Sequence, residues 1–401
     1  MKNIYVVGTC DTKNDELAFL KSIIKKNGLS VKLLNVGTTN KKTSADISNE
    51  SIAEHHPLGA KAVLGLSNRG EAVENMSAAL CNFIAQKDDI GGIVGIGGSG
   101  GTALIAPMMQ MLPISVPKLL VSTVASGNVA PYVGATDICM MYSVVDFLGL
   151  NPVLKKILTN AGNSISGMVK GLDKVTIEHN ERPAIGLTMF GVTTACVEAI
   201  TKSLEGDFDC LVFHATGTGG QSMEKLAEAK LIQGAIDITT TEVCDYFMDG
   251  VFPCLETRFD IFAETKLPYV GSVGALDMVN FGAKVTIPEK NKSRNLFVHN
   301  AQVTLMRTTA EENHKMGCWI AEKLNRMEGK VRFLLPMTGV SIIDAPGQPF
   351  HDPEANQALF KAIENNFKQT ENRKLIKIDC NINDPIFSAR ATKEFLDIFN
   401  N

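Results

Sequence analysis

The 401-residue chain has no cysteines at C-x-x-C spacing: its nine, Cys10, Cys81, Cys139, Cys196, Cys210, Cys244, Cys254, Cys318 and Cys380, are scattered and odd in number. That pattern disfavours a disulfide framework and a structural zinc site, and it suits a reducing compartment. No HxH or HExxH spacing names a metal centre. Basic blocks are missing as well. Lys plus Arg number 39 against 43 Asp plus Glu, a formal net charge of -4, so neither nucleic acid nor an anionic membrane is an expected partner. The opening residues lack the long apolar run of a secretory signal, which points to a cytoplasmic protein. The apolar stretch 103–150 is broken by Pro107, Pro113 and Pro117 and carries Lys118, Asp137 and Asp146, which are costly in lipid. It reads as buried core. Heptad seams and low-complexity tracts are also lacking, which removes coiled coils and disordered tails.

What is there is ordinary globular composition, 45% hydrophobic and 20% charged, at a length suited to about two domains. Short β-type runs alternate with helical stripes: strands at 4–7, 31–36, 93–96 and 119–121, with helices at 15–26 and 71–86 and after Gly101. A helical stretch at 151–171 leads into a polar segment around 178–183. The pattern then restarts with strands at 184–188, 210–214, 269–273, 331–335 and 375–378. This predicts an α/β fold of two Rossmann-like domains, 1–178 and 179–401, each a mostly parallel sheet with helices on both faces. Both halves contain a strand, a glycine-rich turn and a helix, a hint that the two are related.

The first such turn is Gly97, Gly98, Ser99, Gly100, Gly101 and Thr102. Glycines let backbone N–H groups approach phosphate oxygens at the positive end of a helix. The loop has no Walker lysine and lacks the spacing of a dinucleotide fingerprint, so it is either a phosphate cradle of another type or an ordinary strand-to-helix turn. Thr9 and Asp11 after the first strand, Thr38 after the second, Arg69, and Thr123 after the 119–121 strand converge on the same carboxyl edge if the sheet is parallel. Arg69 offers a planar fork to phosphate, or a surface salt bridge.

The second turn is Thr216, Gly217, Thr218, Gly219, Gly220 and Gln221, following His214. It suits a second anion or a substrate, with His214 as general acid or base or else as a satisfied core histidine. Glu242 and Asp245, three apart, share one helical face if a helix starts there. They serve a metal, a proton transfer or the helix dipole. Asp344, His351 and Asp352 lie in a proline- and glycine-rich segment that is either a lid or a rigid turn before a helix.

The stretches VVGTCDTKNDEL, GIGGSGGTALIAPMM, PKLLVSTVASGNVAPYVGATDI, HATGTGGQSME, LPMTGVSIIDAPGQPFHDPEANQALF and NDPIFSARATKEFL resemble the uncharacterised two-domain family related to the ATP-binding N-terminal domain of the tomato mosaic virus resistance protein. The resemblance covers nearly the whole chain. It implies an ATP site in the first domain, at Gly97 to Thr102 with Thr38 and Arg69 as neighbours, and self-association as a dimer or higher oligomer. The expected function is that of an ATP-binding enzyme acting on a small polar metabolite in an interdomain cleft near His214. Magnesium would accompany ATP near Asp11 or Asp137. A regulatory or scaffold protein without turnover, and a nucleotide-independent hydrolase or lyase of an anionic metabolite, are the alternatives.

Overall fold

A computed structural model describes residues 2–39, 41–172 and 182–400. The chain divides into two compact units, Met1–Glu178 and His179–Asn401. The polar segment expected around 178–183 lies, apart from Arg182 and Pro183, outside the described residues.

In the N-terminal unit the order is β1 (Asn3–Gly8), α1 (Cys10–Lys26), β2 (Val31–Asn35), α2 (Asn49–Ala53), α3 (Arg69–Ala85), β3 (Ile90–Gly97), α4 (Ser99–Met111), β4 (Lys118–Ser122), α5 (Ala130–Val133), β5 (Cys139–Tyr142) and α6 (Pro152–Leu172). The sheet order is β2-β1-β3-β4-β5 and every pairing is parallel. The alternation of side chains along a strand sorts the core into two faces. Tyr5, Val7, Ile93 and Leu120 pack with Met76, Leu80, Leu104 and Ile105 of α3 and α4. Ile4, Val6, Val94 and Val121 pack with Leu17, Leu20 and Ile24 of α1 and with Leu154, Leu158 and Ile165 of α6. Each fully buried aliphatic side chain contributes about 1.5–3 kcal/mol relative to exposure, so both faces of the sheet are committed to helices. Among the described residues no helix is long and apolar enough to cross a membrane; the apolar stretch 103–150 becomes α4, β4, α5 and β5.

The C-terminal unit runs β6 (Ala184–Met189), α7 (Thr194–Leu204), β7 (Asp209–His214), α8 (Thr218–Glu228), β8 (Ala235–Thr239), α9 (Glu242–Met248), α10 (Asp260–Thr265), β9 (Tyr269–Gly274), β10 (Met278–Phe281), β11 (Leu296–Asn300), β12 (Val303–Arg307), α11 (Ala310–Asn325), β13 (Val331–Pro336), α12 (Pro353–Asn366), β14 (Arg373–Ile378) and α13 (Pro385–Phe399). Its six-stranded sheet, β14-β13-β9-β8-β6-β7, is again wholly parallel. Counted within the unit, its first five strands repeat the 2-1-3-4-5 order of the N-terminal sheet. The addition is a three-stranded antiparallel sheet, β10-β12-β11, inserted between β9 and β13. Its strands of four or five residues are too short to carry a readable period.

Glycine is required where β3 turns into α4. A Cβ on Gly97 would lie 2.6 Å from Thr102 N and 2.7 Å from the Gly101 carbonyl carbon, both backbone atoms that cannot swing away. Gly97→Ala is therefore expected to lower the stability of the unit by about 1–3 kcal/mol, read as a reduced urea midpoint. An unchanged midpoint would show that the first turn of α4 shifts freely.

Candidate functional site

An open parallel sheet binds ligands outside the carboxyl ends of its strands, where the strand order reverses. In the N-terminal unit that point lies between β1 and β3. A cavity of about 630 Å³ opens there, lined by residues that include Thr9, Asp11, Thr12, Lys13, Thr38, Arg69, Gly98, Ser99, Gly100 and Gly101, within the ~300–1,000 Å³ typical of small-molecule sites. No side chain caps α4, whose first turn bond runs from Thr102 N to Gly98 O. The N–H groups of Ser99 to Gly101 are thus the orphan donors of a helix start, facing the cavity.

Two of the three charged side chains around it are positive. Arg69 opens α3, and its exposed guanidinium has no carboxylate partner among the described residues. A cation at the positive end of a helix is unfavourable unless an anion joins it. Lys13, at a kink in α1, adds a second cation to the lining. Asp11 is the one carboxylate lining the cavity, and its Oδ1 is shut off from solvent without a hydrogen-bond partner.

Other sequence-predicted residues fall elsewhere. Gly97 is buried and serves the turn, and Thr102 Oγ1 shares a hydrogen bond of 2.6 Å with Ser122 Oγ in the core. Thr123 donates its N–H to Gly97 O and stands outside the lining. Asp137, offered as a magnesium neighbour, is at the opposite edge. It precedes β5, its Oδ1 lies 2.5 Å from Lys118 Nζ at the start of β4, and its Oδ2 accepts from Ser115 N. A short strand after it, rather than before it, accounts for the correction.

In the C-terminal unit the corresponding crevice, between β6 and β8, is closed. Thr193 Oγ1 and Thr239 Oγ1 are bonded across it at 2.7 Å, both buried. The glycine-rich turn before α8 satisfies itself: Thr216 N donates to His214 O, Thr218 N to Thr216 O, and Gly217 N to Glu242 Oε2 at 2.8 Å. A Cβ on Gly220 would collide with Glu242 Oε1. Where the first turn offers N–H groups to a ligand, the second holds the chain's own carboxylate. Of Thr216 to Gln221, only Thr218 is exposed. His214 is exposed at the end of β7, its ring stacked 5.0 Å from Phe190 at 8°, so it is not the satisfied core histidine that a strand end suggests.

Glu242 belongs to a buried ionic cluster that no local spacing announces. Arg258, fully buried, donates from Nε to Glu242 Oε1 at 2.5 Å, from Nη1 to Glu224 at 2.8 Å and from Nη2 to both oxygens of Asp237. Tyr269 and Thr188 hydroxyls donate to Asp237 as well. Asp245 accepts from the backbone N–H groups of Asn280 and Phe252. Both acids do open α9, as the spacing suggests, but they hold neighbouring segments together. Among the described residues no group of three side chains is arranged for a metal ion. Asp344, in the proline-rich segment, is likewise buried, pairing with Arg307 and capping the Val340 N–H, and Asp352 caps α12. A rigid turn is the role found there.

A two-unit parallel α/β protein with one open, glycine-cradled crevice and one self-filled crevice is the class these features define. The chain belongs to the uncharacterised protein family UPF0261, whose N-terminal domain matches residues 2–174 and whose C-terminal domain matches residues 182–399. A UPF0261 protein of Rhizobium meliloti is 51% identical over 400 residues, covering all of both chains. Another, of Mesorhizobium japonicum, is 50% identical over 398 residues, or 99% of each. The ToMV resistance protein Tm-1 of Solanum lycopersicum is 42% identical over 98% of this chain, which spans 55% of that longer protein.

The cluster makes stability depend on pH. Burial, reinforced by the negative charges of Asp237 and Glu224, pushes the Glu242 carboxyl from 4.5 up to about 7 against the pull of Arg258. Burial also pushes Asp245 from 3.8 up to about 7. Protons held by the folded unit are ones the unfolded chain releases at lower pH, so the stabilisation is complete below those unfolded values and is lost as pH rises through about 7. The urea midpoint of the C-terminal unit is expected to fall as pH rises from about 4 to about 7, and Glu242→Gln, which cannot titrate, is expected to flatten that slope. A slope of opposite sign, or one unaltered in the variant, would contradict the assignment.

Proposed function

We propose that the N-terminal unit binds a nucleoside triphosphate, ATP by the family resemblance, with its phosphates on the first turn of α4, and that the bound nucleotide serves an enzyme acting on a small polar metabolite. The observation that carries this reading is the open crevice: uncapped N–H groups of Ser99 to Gly101, Arg69 without a carboxylate partner among the described residues, and Lys13 all line one cavity. Phosphate binding at such a helix start needs no Walker lysine, because backbone donors, dipole and guanidinium supply the positive potential.

The residues also fit magnesium as the nucleotide's companion. Mg²⁺ is held by one or two carboxylates together with phosphate oxygens and water, and Asp11 is the carboxylate in the cavity lining. When bound, the ion would neutralise phosphate charge. The chain's own contribution is to bind and orient: Arg69 and the α4 amides at the phosphates, Thr9, Thr12 and Thr38 as hydroxyls along the walls. A cytoplasmic, self-associating protein belongs to the same reading, supported by nine free cysteines and by the resemblance.

Gly100 has open space around its Cβ position, so Gly100→Asp should leave the fold intact while setting a carboxylate against the phosphates. Calorimetric titration with MgATP is expected to show binding to the wild type, none to Gly100→Asp, and roughly 10- to 100-fold weaker binding to Arg69→Ala, the range of one charge-assisted hydrogen bond. Unchanged affinity in both variants would remove the nucleotide from this cavity. Release of ADP dependent on an added metabolite would separate enzyme from scaffold.

A further inference from the structure

The metabolite expected beside the nucleotide has no open place in the crevice of the C-terminal unit, which Thr193, Thr239 and Glu242 fill. The N-terminal unit carries a second cavity of about 620 Å³ on the other side of its first β–α turn. Asp11 and Thr12 line both cavities and form the wall they share. We propose that this second cavity binds a small zwitterion, a metabolite carrying one ammonium and one carboxylate group in the manner of an amino acid. Its role as co-ligand rests on the nucleotide reading; its chemistry does not.

The charges of the lining determine the class. One wall comes from the start of α1, with Asp11 and Asp15; the other comes from the segment after β2, with Lys41 and Lys42. Glu16 also lines the cavity, but it is buried and its Oε1 accepts from Gly149 N at 2.9 Å. Among the described residues neither Asp15 nor Lys42 has an ion-pair partner, and no salt bridge joins the two walls. Lys41 Nζ is held at the rim by Asp11 O, 3.1 Å away. Counting the buried Glu16, three carboxylates line the cavity against two ammonium groups, and the exposed Asp15 and Lys42 are left without ion-pair partners, one of each sign on opposite walls. A simple anion would leave the acidic wall uncompensated, a simple cation the basic one. A ligand bearing both signs satisfies each wall with charge-assisted hydrogen bonds.

The geometry also sets the ligand's position. Lys13 is the kink residue of α1, with φ -132 and ψ 30, so Cys10 to Thr12 form a separate turn that stands between the two cavities. A zwitterion whose ammonium meets Asp11 is thereby brought next to the phosphate end of the neighbouring cavity, separated from it by a single turn of backbone.

The test is calorimetric titration of the full chain with the proteinogenic α-amino acids, β-alanine and 4-aminobutyrate, with acetate and methylammonium as single-charge controls. At least one zwitterion is expected to bind saturably, and neither control is. Asp15→Ala and Lys42→Ala, both changes of exposed side chains, are expected to weaken that binding roughly tenfold or more, while Gly100→Asp leaves it intact. Absence of binding by every zwitterion, equal binding of acetate, or affinity untouched by both variants overturns the proposal. Zwitterion binding in a protein that does not bind MgATP would overturn the nucleotide reading alone. MgATP binding without any zwitterion would overturn the subsite alone.

Discussion

Neighbouring parallel strands cannot be joined by a hairpin; each must be reached by a crossover that returns to the same end of the sheet. That constraint governs both units. It sends every strand-to-helix turn to one edge, and at the reversal between the first and third strands it leaves two turns diverging with a gap between them. The candidate site of the N-terminal unit is a consequence: the glycines of α4, Arg69 at the start of α3 and the Asp11–Thr12 turn line one cavity at that edge.

The two units use that gap in opposite ways. In the first, the helix-start donors and the Arg69 guanidinium have no partner among the described residues and Lys13 donates only to the Thr12 hydroxyl, an arrangement with positive potential that an anion would relieve. In the second, the same topological position is filled from within: Glu242 takes the N–H of Gly217, and the buried Arg258 gathers Glu242, Glu224 and Asp237. Three carboxylates against one guanidinium leave negative charge that burial makes expensive, and the raised Glu242 carboxyl is the result. Phe259, adjacent to Arg258, sits at φ 77, a region bulky residues avoid, and its N–H donates to Glu224.

The fold was legible because its signals are local. Apolar runs of four to six residues alternating with helical stripes predict a parallel sheet, and Gly97 to Thr102 stood out between strand and helix. Within that hexapeptide, sequence did not distinguish Gly97 and Thr102, which face the core, from Gly98 to Gly101, which line the cavity. The rest depended on distance. Arg258 meets Glu242 from sixteen residues away and Glu224 from thirty-four, separations that carry no pattern. Asp137 was misplaced because the four-residue β5 behind it was not seen. Lys13 and the Lys41–Lys42 pair had a signal that went unused: each follows a strand end at the carboxyl edge, next to residues already singled out.

Glu242 is in effect a ligand the protein can never lose. A molecule that binds only the folded state stabilises it by an amount that grows with its concentration over its dissociation constant, and a tethered carboxylate supplies its support without any dependence on concentration. The C-terminal unit carries that support within its own chain, whereas a ligand in the open N-terminal cradle, as proposed above, would give that unit a melting temperature that rises with ligand concentration.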